Sequence, residues 1–124
     1  MSKSRLPLPD ASVCAYAPLV TEPLSPEAAA DIAAKLKALA DPIRLRLFSM
    51  VASRAGGEAC VCDVSEGFDV TQPTISHHLK VLKDAGLLTS ERRASWVYYA
   101  VVPEALTNLS TVLRVDVSAA KASA

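Results

Sequence analysis

No apolar run in this chain of 124 residues approaches the roughly 20 needed to cross a bilayer, although 51% of its residues are hydrophobic. The start, Met1-Ser2-Lys3-Ser4-Arg5-Leu6-Pro7, lacks the apolar centre of a signal peptide, so a cytoplasmic protein with no membrane partner is expected. Cysteine is limited to Cys14, Cys60 and Cys62. An odd number in a reducing compartment excludes a disulfide framework and leaves metal binding or redox chemistry. Net charge is also missing, with 13 basic and 13 acidic side chains, so there is no overall basic footprint for nucleic acid. There are no internal repeats and no glycine-rich anion loop ahead of a helix. No general base stands in a constellation with the cysteines, which argues against an enzyme such as a cysteine-dependent reductase.

What is present has the size of one domain with a modest core. Residues 1–25 carry Pro7, Pro9, Pro18 and Pro23 and no helical period, the pattern of an extended arm, which holds Cys14. Ser25-Pro26-Glu27 reads as a cap and first turn, after which Ile32, Leu36 and Leu39 recur at helical spacing. Asp41-Pro42 restarts the chain into a second helix burying Ile43, Leu47, Met50 and Val51, fading at Ala55-Gly56-Gly57. Glu58 to Cys62 reads as extended. Asp63 and Glu66 are spaced as a capping pair, predicting a short helix to about Phe68.

Thr71 caps a fourth helix with Pro73 in its first turn, an inner stripe of Ile75, Leu79 and Leu82, and Gly86 as its stop. Leu87–Arg93 and Trp96–Val102 read as a hairpin that turns without glycine at Ala94-Ser95. Pro103 opens a last helix with Leu106, Leu109 and Leu113 in its stripe. The expected architecture is mainly α with a small β-hairpin: a winged helix-turn-helix body over residues 26–116, followed by a disordered tail over 117–124. Charge is distributed to match, since Lys80, Lys83, Arg92 and Arg93 outnumber Asp84 and Glu91, whereas Glu58, Asp63, Glu66 and Asp69 lie before the fourth helix.

Leu36-Lys37-Ala38-Leu39-Ala40-Asp41-Pro42-Ile43-Arg44-Leu45, Cys60-Val61-Cys62-Asp63-Val64, Gln72-Pro73-Thr74-Ile75-Ser76-His77-His78-Leu79, Gly86-Leu87-Leu88 and Trp96-Val97-Tyr98-Tyr99 together resemble the ArsR/SmtB family over roughly residues 27–114. The resemblance implies a homodimeric, metal-responsive repressor that leaves its operator when a metal or metalloid binds. Cys-Val-Cys-Asp is similar to the arsenic-responsive branch, whose inducers are trivalent arsenic and antimony. That branch commonly has a third cysteine where this chain has Ser65. A zinc site on the last helix, used by another branch, needs histidine, and there is none between Pro103 and Asp116.

A soft trivalent ion favours three thiolates, while thiolates also suit cadmium and other soft ions. In extended backbone, Cys60 and Cys62 would face one side, just outside a helix whose positive end favours thiolate. With serine at residue 65, the remaining sulfur is Cys14, and a Cys14, Cys60, Cys62 site is expected, with a two-thiolate site as the alternative. Cadmium, lead or thiol oxidation would be alternative signals on the same fold.

On the fourth helix, Gln72, Thr74, Ser76 and His77 are candidates for base edges. Lys80, Arg92 and Arg93 are candidate phosphate contacts or, alternatively, solvated surface. His78 is read as a packed or capping imidazole. Ile32, Leu36, Leu106, Leu109 and Leu113 are candidates for the dimer interface that the resemblance implies, or else for core.

Overall fold

The computed structural model describes residues 16–115. Cys14 and the tail over 117–124 lie outside them. Capping chemistry sets the helix starts. Helix α1 (Pro26–Leu39) begins where Ser25 Oγ accepts from Ala28 N at 3.1 Å. Helix α2 (Pro42–Ser53) begins at Asp41, whose Oδ1 accepts from Ile43 N at 2.9 Å and Arg44 N at 3.1 Å. A 3-10 turn at Ala55–Gly57 feeds strand β1 (Glu58–Cys60). There follow α3 (Val61–Val64), α4 (Gln72–Asp84), β2 (Leu88–Arg93), β3 (Trp96–Val101) and α5 (Pro103–Leu113). The order confirms a mainly helical winged helix-turn-helix.

Packing divides the chain into two units, the larger being Ala33–Ala105. Its core draws on Leu47, Phe48 and Val51 from α2 and Ile75, Leu79 and Leu82 from α4. Val64, Leu87 and Leu88 complete it. Helix α4 stops in a Schellman motif, with Gly86 N donating to Lys83 O at 2.9 Å and Leu87 N to Leu82 O at 3.0 Å. Gly86 supplies the required left-handed backbone at φ 86°, and the accompanying apolar pair, Leu82 and Leu87, is fully buried.

The described part of the other unit spans residues 16–32 and 106–115. Ala28, Ile32, Leu109 and Val112 are buried there. The chain ahead of α1 is tied down by Leu19 N donating to Val112 O at 2.9 Å and by the Tyr16 hydroxyl donating to Asp31.

Four expectations need correction. The hairpin is part of a three-stranded antiparallel sheet in the order β1-β3-β2, with Glu58 opposite Ala100, Ala59 opposite Tyr99 and Cys60 opposite Tyr98. A three-residue strand is too short to announce itself by alternation. Gly57 makes the approach possible: its φ is 70°, and a Cβ there would stand 3.0 Å from Val101 Cγ1. The short helix also ends at Val64 rather than near Phe68, and its cap is Cys60 rather than Asp63. The buried side of α2 includes Phe48 more fully than Met50.

The bond from Arg44 N–H, aided by that from Ile43, holds the Asp41 carboxyl below the usual carboxylate range. A carboxyl with a lowered folded pKa contributes stability above the ordinary carboxylate range and loses it as pH falls through the lowered value. Asp41→Asn keeps an acceptor but no charge. Urea midpoints between about pH 2 and pH 6 should therefore decline less steeply with acid in this variant than in the parent; identical slopes would contradict the assignment.

Candidate metal centre and nucleic-acid interface

Cys60 has two structural duties. It ends β1, and with φ −78° and ψ 150° it is also the cap of α3. Its Sγ accepts from Cys62 N at 3.3 Å, while the Asp63 carboxylate accepts from Cys60 N at 3.3 Å. This is a capping box in which sulfur replaces the usual hydroxyl. Cys62 consequently lies in the first turn of α3, not on an extended strand as expected. The pair stays together because Cys60 itself is non-helical and escapes the roughly 200° divergence of two helical positions.

Cys60 is 2% exposed and Cys62 is open to solvent. Hydrogen bonding to Cys60, then desolvation and the charges of Cys60 and Asp63, hold the Cys62 thiol above its ordinary pKa. Ser65 turns away from such a role, since its Oγ donates to Val61 O at 2.6 Å. Among the described residues, no group of three His, Cys, Asp or Glu side chains is placed to hold a metal. Cys14 lies outside them.

Thr71 Oγ1 caps α4 by accepting from Thr74 N at 3.4 Å. Burial of Ile75, Leu79 and Leu82 turns the opposite face outward. Gln72, His77 and Lys80 are exposed there, with Thr74 and Ser76 half-buried. Thr74 Oγ1 is already 3.0 Å from Thr71 Oγ1. Lys80 Nζ lies 2.9 Å from Asp84, an exposed pair one helical turn apart, and that bond raises the lysine's pKa. His78 is half-buried, its Nδ1 3.4 Å from Arg44 Nη1.

The neighbours Arg92 and Arg93 point to opposite faces of the sheet, as alternation in a strand requires. Arg92 is opposite Val97 and shares a face with Tyr99. Leu88, on that same face, is only 2% exposed, so the face turns toward the core. Arg93 lies on the other face, where Glu58 Oε1 and Oε2 take its Nη1 and Nη2 at 2.6 and 3.1 Å. Glu91 Oε1 takes its Nη2 and Nε at 2.8 and 3.1 Å, and the guanidinium rests 4.6 Å from the centre of the Tyr98 ring. Glu58 went unrecognised in the sequence as a partner of the wing. Its only signal there was a carboxylate of opposite sign, and nothing local indicated that 35 residues of separation would be closed.

The candidate interface leucines divide. Ile32 and Leu109 are buried within the single chain at 3% and 6% exposure, whereas Leu106 and Leu113 in the same unit remain exposed. Leu36, in the larger unit, is exposed too.

A capped helix presenting polar residues beyond a short helix and turn, with a hairpin beside it, defines a winged-helix DNA-binding protein. Residues 41–90 match the family model of bacterial regulatory proteins of the arsR family. The chain is 45% identical over 75 residues to the arsenical resistance operon repressor of Bacillus subtilis (strain 168), covering 60% of this chain and 70% of that protein. It is 43% identical over 68 residues to the arsenic resistance transcriptional regulator ArsR1 of Pseudomonas putida (strain KT2440), covering 55% of this chain but only about half (52%) of that protein. The crystal structure of the AntR antimony-specific transcriptional repressor superposes with a TM-score of 0.57 at 28% identity, covering 69% of this chain and 77% of the other. The chain belongs to the ArsR family of transcriptional regulators.

The contrast in exposure between the two described thiols predicts their reactivity. Under limiting iodoacetamide in the reduced native protein, peptide mapping should find Cys62 alkylated at least about tenfold faster than Cys60. Equal rates would contradict the burial of Cys60.

Proposed function

We propose that this chain is a cytoplasmic metalloregulatory repressor that occupies operator DNA as a homodimer and releases it when trivalent arsenic or antimony binds its cysteine thiolates. The observation that carries this reading is the bond from Cys62 N to Cys60 Sγ at 3.3 Å, which joins the two cysteines at the end of a strand paired with the wing. The relatives named for arsenical resistance and the neighbour named for antimony support the choice of effector. Cys60 and Cys62 would supply two sulfurs to a soft trivalent ion. The third is assigned to Cys14, because the hydroxyl of Ser65 is engaged by its own helix.

Effector binding would alter the cap of α3, since a Cys60 sulfur bonded to an ion is no longer the same acceptor for Cys62 N–H. A helix cap is worth about 0.5–2 kcal/mol. Coupling of about 1–3 kcal/mol between sites changes affinity some 5- to 150-fold, so a cap is the right size of lever. On the DNA side, Gln72, Thr74, Ser76 and His77 are assigned to the groove, and Lys80 and Arg92 to phosphates. Arg93, held by Glu58 and Glu91, is assigned a phosphate only if it leaves them. Leu36, Leu106 and Leu113 are the exposed residues proposed to meet a second copy.

Arsenite titrated into reduced protein bound to a fluorescent operator duplex should release the DNA. Cys14→Ser should bind arsenite at least about tenfold more weakly and release DNA only at correspondingly higher arsenite, as loss of one of three strong bonds requires. Unchanged binding and unchanged release in Cys14→Ser would remove that residue from the site. Absence of release from the parent protein by arsenite, with release by cadmium or peroxide instead, would overturn the choice of effector.

A further inference from the structure

The face of the sheet opposite Arg92 carries a cross-strand bridge which the DNA and sulfur sites do not require. Strand β3 lies between β1 and β2, so the Glu58–Arg93 pair joins the two outer strands across the top of the central one. Tyr98 sits beneath the bridge, 4.6 Å from the Arg93 guanidinium. The backbone partner of Tyr98 on β1 is Cys60, and Glu58 stands two residues before that cysteine on the same face. The bridge thus anchors the end of β2 to β1 two residues before Cys60, passing over the ring of Tyr98. Arg93 is the last residue of β2, directly opposite Trp96 at the turn of the wing.

The bond geometry suits a rigid strut. Both carboxylate oxygens of Glu58 meet two different guanidinium nitrogens, a fork-on-fork pairing that fixes direction as well as distance. Glu91 also binds Arg93, but from two residues along the same strand, so it cannot tie one strand to another. The guanidinium thus meets two carboxylates and lies on the face opposite Arg92, an arrangement that serves orientation better than phosphate capture.

We propose that Glu58 and Arg93 are positioning residues that clamp the wing to the cysteine-bearing strand, so that a change at Cys60 re-aims the wing and with it Arg92. This rests on the reading of Cys60 and Cys62 as the effector site. The short helix α3 is then not the sole route from sulfur to DNA: the wing is moved through the opposite face of the sheet. Glu58 touches neither effector nor DNA in this account.

Glu58→Gln keeps the shape and weakens the fork, and Glu91→Gln is the control that leaves the cross-strand bridge in place. Two quantities are measured in reduced protein: the ratio of operator affinities without and with saturating arsenite, and the emission of Trp96, the only tryptophan, during arsenite titration in the absence of DNA. Glu58→Gln should bind arsenite as the parent does, yet show a coupling ratio reduced about 2- to 30-fold, the range found for residues that carry coupling without touching a ligand. Its Trp96 response should be largely lost, while Glu91→Gln should retain both. A parent protein that binds arsenite without any change in operator affinity refutes the effector reading itself. A parent that couples normally, alongside a Glu58→Gln variant with the same ratio and the same Trp96 response, overturns the clamp. If Glu58→Gln unfolds, Glu58→Asp, which keeps the charge but shortens the reach to Arg93, replaces it with the same expectations.

Discussion

The pairing of β1 with β3 is the constraint on which the remaining structure depends. Three residues, Glu58–Cys60, are enough to bring the cysteines into the same hydrogen-bonded sheet as the wing. Because Cys60 also caps α3, one sulfur-bearing residue is shared by the sheet and by the short helix that leads toward α4. Ligation at Cys60, as proposed, would therefore act on two elements at once. Neither element is individually strong, and that is useful, since a switch must be moved by the binding energy of a single ion.

Net neutrality of the chain does not prevent a directed surface. Charges are separated by face more than by segment. Asp84 compensates Lys80 on α4, and Glu58 with Glu91 compensates Arg93 on one side of the wing. Arg92 is exposed on the other side, which it shares with Tyr99 and the buried Leu88. Exposed ion pairs of this kind contribute little to stability. With the proposed DNA contacts, they would determine which cations reach a phosphate.

Much of the fold was legible because it is written in local chemistry. Ser25, Asp41 and Thr71 announce three helix starts, and Gly86 announces a stop, each through bonds within a few residues of chain. The stripe of Ile75, Leu79 and Leu82 follows from helical period alone. The strand β1 was not legible as a partner of the wing, since three residues carry no period and pairing depends on distant chain. Assigning the cap to Asp63 instead of Cys60 came from its spacing to Glu66, whereas Asp63 is the far member of a capping box that Cys60 opens. The candidate thiols could be named from spacing, but their geometry followed from where the strand ended. The two arginines at residues 92 and 93 looked equivalent in sequence and are separated only by the alternation of the strand.

The central claim is that the sulfur site and the DNA surface are energetically coupled, and coupling of equilibrium binding is reciprocal. The most direct test is the affinity of reduced protein for arsenite, measured for the free protein and for the protein saturated with operator DNA. Arsenite should bind the DNA-bound form more weakly, by the same factor (between about 5 and 150) by which arsenite weakens DNA binding. Equal arsenite affinities in the two forms would contradict it.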